Sequence, residues 1–262
     1  MGSATTQALA TTTAELSAAT VSDLSVAREL FAAAHEIAGS AQLSGALSAW
    51  GAPAAARAQV ARSVFAGYTP VAVQLLTSAV SARWSSTEDL ISGIEELAIR
   101  AAALGAPATD LEGELFQVAR TVAANPELEL ALGSRLGDAS AKAVLVEKLL
   151  GGRASEATIV VTAQLVQQPR ERRVRALLSR ALRLVADQRG RKVATVRVAA
   201  DLDATQRDRL AVALSARYGA DVALNVIVDP TVVGGMRVEI GDDVIDGTVS
   251  SRINDLRQRL AG

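Results

Sequence analysis

Residues 191–200 read RKVATVRVAA, and within this stretch the spacing of apolar residues changes from helical to alternating. One side of an extended segment here would carry Ala194, Val196, Val198 and Ala200, and the other side Thr195 and Arg197. Alternation with a period of two predicts a half-buried strand. We therefore predict a mainly helical region before this stretch and a small α+β domain after it.

The tail of the chain follows a β-α-β-β-α pattern. Asp203 with Gln206 three residues later predicts a capped helix, and Gly219 predicts its end. Alternating apolar residues predict two further strands, at 224–228 and 236–240. One side of a final helix would then present Val249, Ile253, Leu256 and Leu260. We expect the first three of these side chains to pack on the small sheet.

Upstream, from about Ala4 to Arg191, helical spacing is interrupted only by short clusters of Gly, Pro and Ser. Thr69 followed by Pro70 predicts a helix start, and Ser86 with Asp89 resembles a capping box. Half of the 262 residues are hydrophobic but only 3% are aromatic, so the core must be built from Ala, Leu, Val and Ile. This composition indicates closely packed helices.

The helical region resembles itself at an offset of roughly 85 residues. Glu29-Leu30-Phe31 recurs as Glu114-Leu115-Phe116, and the pairs Gly67/Gly152 and Gly105/Gly190 keep the same frame. Duplication explains these matches better than chance coincidence of Ala and Leu. The predicted organisation is a first helical copy at 1–105, a second at 106–191 and the small α+β domain at 192–262.

Residues that could carry chemistry are scarce. The absence of Cys excludes disulfides and thiolate metal sites, and His35 is the only His, which excludes a two-histidine zinc motif. There is no Gly-x-Ser-x-Gly motif, and Gly151-Gly152 lacks the Lys of a phosphate-binding loop. The acidic residues at 242–246 lack calcium-loop spacing and favour a polar hairpin turn with a helix N-cap at Asp246 or Thr248. We expect no catalytic, cofactor-binding or metal site.

The formal net charge of −1 argues against a protein that coats nucleic acid. A basic run contains Arg170, Arg172, Arg173, Arg175, Arg180, Arg183, Arg189, Arg191 and Lys192. A solvated face is the favoured interpretation, ahead of a contact with protein or lipid. RNA binding is least favoured, because no aromatic residue lies among these side chains to stack on bases. We expect no signal peptide and no membrane-spanning segment, since no stretch approaches ~18 uninterrupted apolar residues.

The segment from Leu224 to Leu260 resembles a known family. Its motifs are LNVIVDP at 224–230, VGGMRVEIGD at 233–242 and VIDGTV at 244–249, followed by Arg252. Together they resemble the C-terminal signature of the delta subunit of F-type ATP synthases, whose mitochondrial member is the oligomycin-sensitivity-conferring protein. NPEL at 125–128 and the stretches 142–150 and 165–178 resemble the helical domain of that family. The extra helical copy is a departure from the usual pattern, and resembles enlarged bacterial forms.

The resemblance implies a non-catalytic role in a hetero-oligomer, without cofactors or nucleic acid. In that family, the helical domain holds the N-terminal segments of the alpha subunits on top of the catalytic head. The C-terminal domain contacts the end of the b-subunit stalk. Such a stator keeps the head from turning with the rotor, so that rotor torque drives ATP synthesis. The expected location is the cytoplasmic face of the bacterial cell membrane, reached only indirectly through the complex.

The resemblance also suggests candidate site residues. Signature positions expected mainly to set turns are Asp229, Pro230, Gly234, Gly235, Gly241, Ile245, Asp246, Gly247 and Arg252. The apolar stripes of the helices around 9–16 and 71–80 predict alpha contacts there. The candidate partner contacts are Leu9, Leu16, Val71, Leu75, Arg172 and Arg173. Two other classes remain open: a free helical adaptor and an Arg-rich RNA-binding protein.

Overall fold

The change from helical to alternating spacing coincides with the start of a sheet, because strand β1 spans Arg191–Val198. The computed structural model describes residues 2–134, 137–170, 172–253 and 257. The chain divides into two units, Met1–Val185 and Ala186–Gly262. The first is helical and the second holds the sheet, so the predicted mainly helical fold with a small α+β C-terminal domain is confirmed.

The helical unit is a succession of short helices. They are α1 (Ser3–Ala18), α2 (Ser25–Gly39), α3 (Ala41–Leu47), α4 (Ala54–Val64), α5 (Pro70–Ser81), α6 (Thr87–Gly105), α7 (Leu111–Ala124), α8 (Pro126–Gly133), α9 (Ala139–Leu150), α10 (Glu156–Gln167) and α11 (Val174–Gln188). The predicted starts are confirmed: the Thr69 hydroxyl accepts from the Ala72 amide, and the Ser86 hydroxyl accepts from the Asp89 amide at 3.1 Å. The Asp89 carboxylate does not complete the capping box, because it accepts from the Thr5 hydroxyl instead.

Helix α6 is the central element of the helical unit. Its buried residues run almost continuously from Leu90 to Ala103, so the helix is covered on all sides. Gly93 lies against Trp84, where a Cβ atom would come within 2.1 Å of the indole ring. The indole N–H of Trp84 is fixed by a 2.7 Å hydrogen bond to the Ala79 carbonyl. Glycine at this point therefore lets the largest side chain of the core pack directly on the helix backbone.

The second unit is a four-stranded sheet in the order β2-β1-β3-β4. Its elements after β1 are α12 (Ala204–Tyr218), β2 (Asp221–Val228), β3 (Met236–Ile240) and β4 (Asp243–Asp246). Strands β1 and β2 are parallel and joined by α12, as a parallel pair requires, while β3 and β4 are antiparallel to their neighbours. Val196 pairs with Val226 and Val238 at the centre of the core.

Most predictions for this unit are confirmed. Asp203 and Gln206 form a reciprocal capping box, and Gly219 ends α12 in the left-handed conformation. Ala194, Val196 and Val198 are buried on one face, but Ala200 is exposed and lies beyond the end of β1. The prediction that Ala200 continues the strand face is wrong because the chain bends immediately after Val198.

Two predictions for the C-terminal segment also need correction. The region expected to be only a polar turn contains strand β4, because Val244 and Ile245 pair with β3. Residues 249–253 are helical, but Val249 and Ile253 are 42% and 44% exposed and do not belong to the sheet core. Leu256 and Leu260, predicted for the same face, lie outside the described residues.

Across the described ranges, none of the helices combines the length and apolar character needed to span a bilayer.

Candidate functional site

A groove of about 1190 Å³ runs between α1 and α5, and we call it the open groove. Helix α1 contributes residues from Ser3 to Glu15, α5 contributes residues from Gln74 to Ser81, and Trp50 and Trp84 close the ends. Thr69 and Pro70 fix the start of α5. The Thr5 hydroxyl, bonded to Ser85 at 3.0 Å, ties α1 to the turn after α5.

The lining of the open groove mixes polar side chains with small apolar ones. Gln7, Thr11 and Gln74 are exposed to solvent, and Ser78 is half-buried between them. Small side chains such as Ala8 and Ser78 allow another helix backbone to approach closely, and the hydroxyls and amides offer hydrogen bonds at the rim. The chemistry of this lining suits a docked helix.

The sequence identified the helices of this groove but not its lining. Leu16 and Leu75, predicted as partner contacts, are 0% and 1% exposed and belong to the bundle core. Leu9 and Val71 are half-buried. The groove is lined instead by polar residues on the neighbouring helical faces. The signal that could have found them is the four-residue spacing of Gln7 and Thr11 on α1, matched by Gln74 and Ser78 on α5.

Part of the basic run is used inside the chain rather than solvated. The Glu95 carboxylate, 3% exposed, pairs with Arg170 and lies 3.1 Å from Arg172. Its neighbour Glu96 pairs at 2.9 Å with both Arg100 and Arg180. The expectation of a solvated basic face is therefore wrong for Arg170, Arg172 and Arg180. The candidate contact Arg172 engages Glu95, while Arg173 is exposed.

The glycines of the C-terminal signature lie at turns. Gly234, Gly235 and Gly241 have φ angles of 70°, 77° and 59°, in the left-handed region that favours glycine. At Gly235 a Cβ atom would also lie 2.4 Å from the Gly247 carbonyl oxygen, so no other residue fits.

The acidic residues of the signature make matching turns. Asp229 accepts hydrogen bonds from the amide and hydroxyl of Thr231, and Asp246 accepts the same pair from Thr248. These hydrogen bonds lower the pKa of both carboxyls below the ordinary value. Thr248 in turn caps the following helical segment through the Ser251 amide. Of the other signature positions, Pro230 follows Asp229 directly, Ile245 packs against the sheet core and Arg252 is exposed.

No metal or catalytic centre is seen among the described residues. No group of three or more His, Asp or Glu side chains there could hold a metal ion. Burial lowers the pKa of His35, opposed by the nearby Glu95 carboxylate and a hydrogen bond with the Gln164 backbone. This half-buried side chain of α2 thus lies close to α6 and α10.

A buried carboxylate contact occurs twice in the helical unit. Glu29 accepts hydrogen bonds from the amide and hydroxyl of Thr69 at 3.0 and 2.6 Å. Glu114 accepts the same pair from Ser155 at 2.9 and 2.6 Å. In each case the donor residue is the N-cap of the third helix after the one that carries the carboxylate: Thr69 caps α5, and Ser155 caps α10. The carboxylate therefore fixes the start of α5 in one place and of α10 in the other.

Replacing Glu114 by glutamine is expected to weaken the pH dependence of stability in acid. Burial opposes ionisation, but hydrogen bonds from Ser155 and Thr158 outweigh it and lower the pKa of Glu114 below the ordinary 4.5. The unfolded chain then binds more protons, so this contribution is complete above about pH 4.5 and is lost as pH falls through the folded-state pKa. At pH 7 the substitution should cost roughly 1–2 kcal/mol.

Urea unfolding of both proteins between pH 3 and pH 7 measures this effect. The exposed Glu127→Gln substitution removes the same charge without a described hydrogen bond and serves as the control. An acid dependence equal to that of the unsubstituted chain would contradict the assigned role of Glu114.

Several known proteins are similar in sequence to this chain. A family model described as ATP synthase delta (OSCP) subunit matches residues 96–260. ATP synthase subunit delta of Leifsonia xyli subsp. xyli is 47% identical over 264 residues, covering 100% of both chains. The proteins of the same name from Streptomyces avermitilis and Kineococcus radiotolerans are 43% and 39% identical, covering 72% and 89% of this chain and 71% and 87% of their own.

One solved structure is also similar. A chain of the Toxoplasma gondii mitochondrial ATP synthase hexamer aligns with 63% of this chain and 96% of its own length, at 16% identity and a TM-score of 0.39. No conclusion about this chain rests on that alignment.

Proposed function

This chain belongs to the ATP synthase delta (OSCP) family, and we propose that it acts as the delta subunit of an F-type ATP synthase. The observation that carries the proposal is the 47% identity to a named delta subunit over the full length of both chains. In this role the chain is a non-catalytic part of the peripheral stalk. It holds the catalytic head still while the rotor turns, at the cytoplasmic face of the bacterial membrane, which it reaches only through the complex.

The open groove is the proposed site for the N-terminal helix of an alpha subunit. Two observations support this partner. The groove lies between two helices with small facing side chains, including Ala8 and Ser78, which permits close helix packing. Its rim is polar, as expected of a surface that is solvated before the partner binds.

The small domain is the proposed site for the end of the b subunit. It exposes several apolar side chains, namely Val228, Val233, Val244, Val249 and Ile253. Two of them are close in space, since the Val249 amide donates to the Gly234 carbonyl next to Val233. Exposed apolar side chains that cluster at one end of a domain mark an interaction surface. Arg173 is a further exposed candidate for contact with an acidic partner segment.

The helical region is proposed to be a duplication, with the first copy at 1–105 and the second at 106–191. The paired carboxylates Glu29 and Glu114 support this proposal. Two buried cations on equivalent helices also support it. Arg57 on α4 donates to the Ala49 carbonyl, and Lys142 on α9 donates to the Ser134 carbonyl. The order of helices also repeats, because α2 to α5 match α7 to α10 in length and spacing. Helix α6 precedes the second series as α1 precedes the first.

Affinity purification tests the proposed function. A tagged chain expressed in its own cell, recovered from gently solubilised membranes, should bring down the alpha, beta and b subunits before and after a moderate salt wash. Electrostatic binding to nucleic acid falls steeply with salt, so a stator contact and an RNA contact respond differently. Recovery of RNA or unrelated soluble proteins alone would overturn the proposal.

Replacing Ser78 by phenylalanine is expected to weaken binding of a synthetic alpha N-terminal peptide at least tenfold, or about 1.4 kcal/mol. The ring would fill the open groove where the partner backbone approaches. Isothermal titration calorimetry on the full chain measures the loss. Ser140→Phe on exposed α9 makes the same chemical change away from the groove and should leave the affinity unchanged. Equal affinities for both variants would remove the open groove as the binding site.

A further inference from the structure

The duplication requires a second groove. If α6 precedes α7–α10 as α1 precedes α2–α5, the counterpart of the open groove lies between α6 and α10. Matching the helices at their N-caps aligns Gly2 with Ser86 and Thr69 with Ser155. Each α1 or α5 residue that lines the open groove then has a defined counterpart on α10 or on α6, the last helix of the first copy.

Three of the counterparts are apolar and buried. Gln7 and Gln74, exposed in the open groove, correspond to Ile91 and Val160, which are 3% and 8% exposed. Glu15 corresponds to Ile99, which is 1% exposed. Two other counterparts are polar: Thr11 corresponds to the buried Glu95, and Ser78 to the half-buried Gln164. The surface between α6 and α10 is therefore covered, and we call it the closed groove.

Helix α2 of the first copy lies over the closed groove. At the start of α10, Arg28 forms a 2.6 Å ion pair with Glu156. Further along α2, the half-buried His35 lies beside the Gln164 backbone of α10, with Glu95 and Arg170 nearby. Gln164 and Glu95 are the counterparts of Ser78 and Thr11 in the open groove. Two contacts seven residues apart on α2, and eight apart on α10, show that α2 runs alongside α10 in the same direction.

The burial of α2 fits this double contact. Helix α2 buries seven residues, whereas its counterpart α7 buries four. Ala34 of α2 is fully buried, while Ala119, its counterpart on α7, is partly exposed. Helix α2 also packs more extensively on α6 than on α3 or α5. Helix α2 thus packs against its own bundle on one side and against the second copy on the other.

We infer that α2 is the built-in occupant of the second copy's groove, so that the chain receives a single partner helix, in the open groove, although it carries two helical copies. The identity of that partner rests on the proposed function; the closure by α2 does not. The buried side chains of the closed groove, which include Ile91, Ile99 and Val160, suit a permanent contact. The exposed Gln7, Thr11 and Gln74 of the open groove suit a partner that arrives from solution.

Whether α2 covers the closed groove can be tested without any partner protein. The chain contains no cysteine, so Arg28→Cys with Glu156→Cys places two unique nitroxide labels at exposed positions on α2 and α10. Strong dipolar broadening of the electron paramagnetic resonance spectrum is expected, unchanged when the alpha N-terminal peptide is added. Absence of broadening in the folded chain, or its loss on addition of peptide, would overturn the inference.

The number of peptides bound per chain tests the second part of the inference, that the chain receives a single partner helix. Calorimetric titration with the same peptide should give one site per full chain. Ser78→Phe should weaken that site at least tenfold, while Gln164→Phe, the counterpart substitution, should leave it unchanged. Two sites per chain, or a loss caused by Gln164→Phe in a variant with unchanged melting temperature, would overturn the inference. If no peptide binds, the proposed alpha contact fails, and the label spectra still decide whether α2 closes the groove.

Discussion

Replacing Glu95 by alanine is expected to lower the free energy of unfolding by about 3 kcal/mol, among the largest effects of any single substitution in this chain. Glu95 is buried on α6 and pairs with Arg170 and Arg172. Removing the carboxylate leaves two guanidinium groups close together in a partly buried site without their only buried counter-charge, because the other described partner of Arg170, Glu88, is exposed. The loss exceeds that of an exposed ion pair because the remaining charges stay desolvated.

Urea unfolding followed by circular dichroism measures this loss. Glu88→Ala is the matched control, because Glu88 also pairs with Arg170, at 3.6 Å, but its side chain is 76% exposed. Surface pairs contribute ~0–1 kcal/mol, so the control should change stability by less than about 1 kcal/mol. Equal losses in the two variants would show that burial of Glu95 does not determine its contribution.

Replacing Arg57 by alanine is expected to cost about 3–4 kcal/mol, because several buried carbonyls lose their donor together. The guanidinium, in a residue that is 5% exposed, donates to the carbonyls of Val80 at 2.8 Å and Ser81 at 3.1 Å. It also donates to Ala52 and Ala49 at 2.5 and 3.3 Å. One side chain thereby joins the end of α5 to the turn before α4.

Thermal and urea unfolding of three variants measure the contribution of Arg57. Arg57→Lys keeps a charge but not the fork of donors, and should recover only part of the loss. Arg62→Ala lies on the exposed side of the same helix, where its side chain contacts Gln59, and should stay within about 0.5 kcal/mol of the unsubstituted chain. An Arg57→Ala variant as stable as Arg62→Ala would contradict the interpretation.

Features with a local cause were predictable from the sequence. The caps at Thr69, Ser86 and Asp203 depend on side chains within three residues of the amides they bind. The change of period at β1 likewise depends only on neighbouring residues. Strand β4 was missed because it has only four residues, two of them Asp, and its pairing to β3 is what makes it a strand.

Features with a distant cause were not predictable. Glu95 and Arg170 are separated by 75 residues, and nothing in either segment indicates that they meet, so the arginines looked solvated. The helices predicted to contact the alpha subunit are the two that line the open groove, but apolar spacing selected Leu16 and Leu75, which the bundle itself buries. Apolar periodicity identifies the face that packs inward, whereas this groove is lined by the adjacent polar face.

Helix α6 also bears on mechanics. It follows α5 in the first copy and leads into α7 in the second, and it is continuous from Thr87 to Gly105. The helix packs against α2 and α5 on one side of the copy boundary and against α10 on the other, so bending one copy against the other would break these contacts and the ion pairs of the helix. A lateral force applied at the open groove would therefore be transmitted to the second copy with little deformation. A subunit that holds the catalytic head against rotation needs this stiffness.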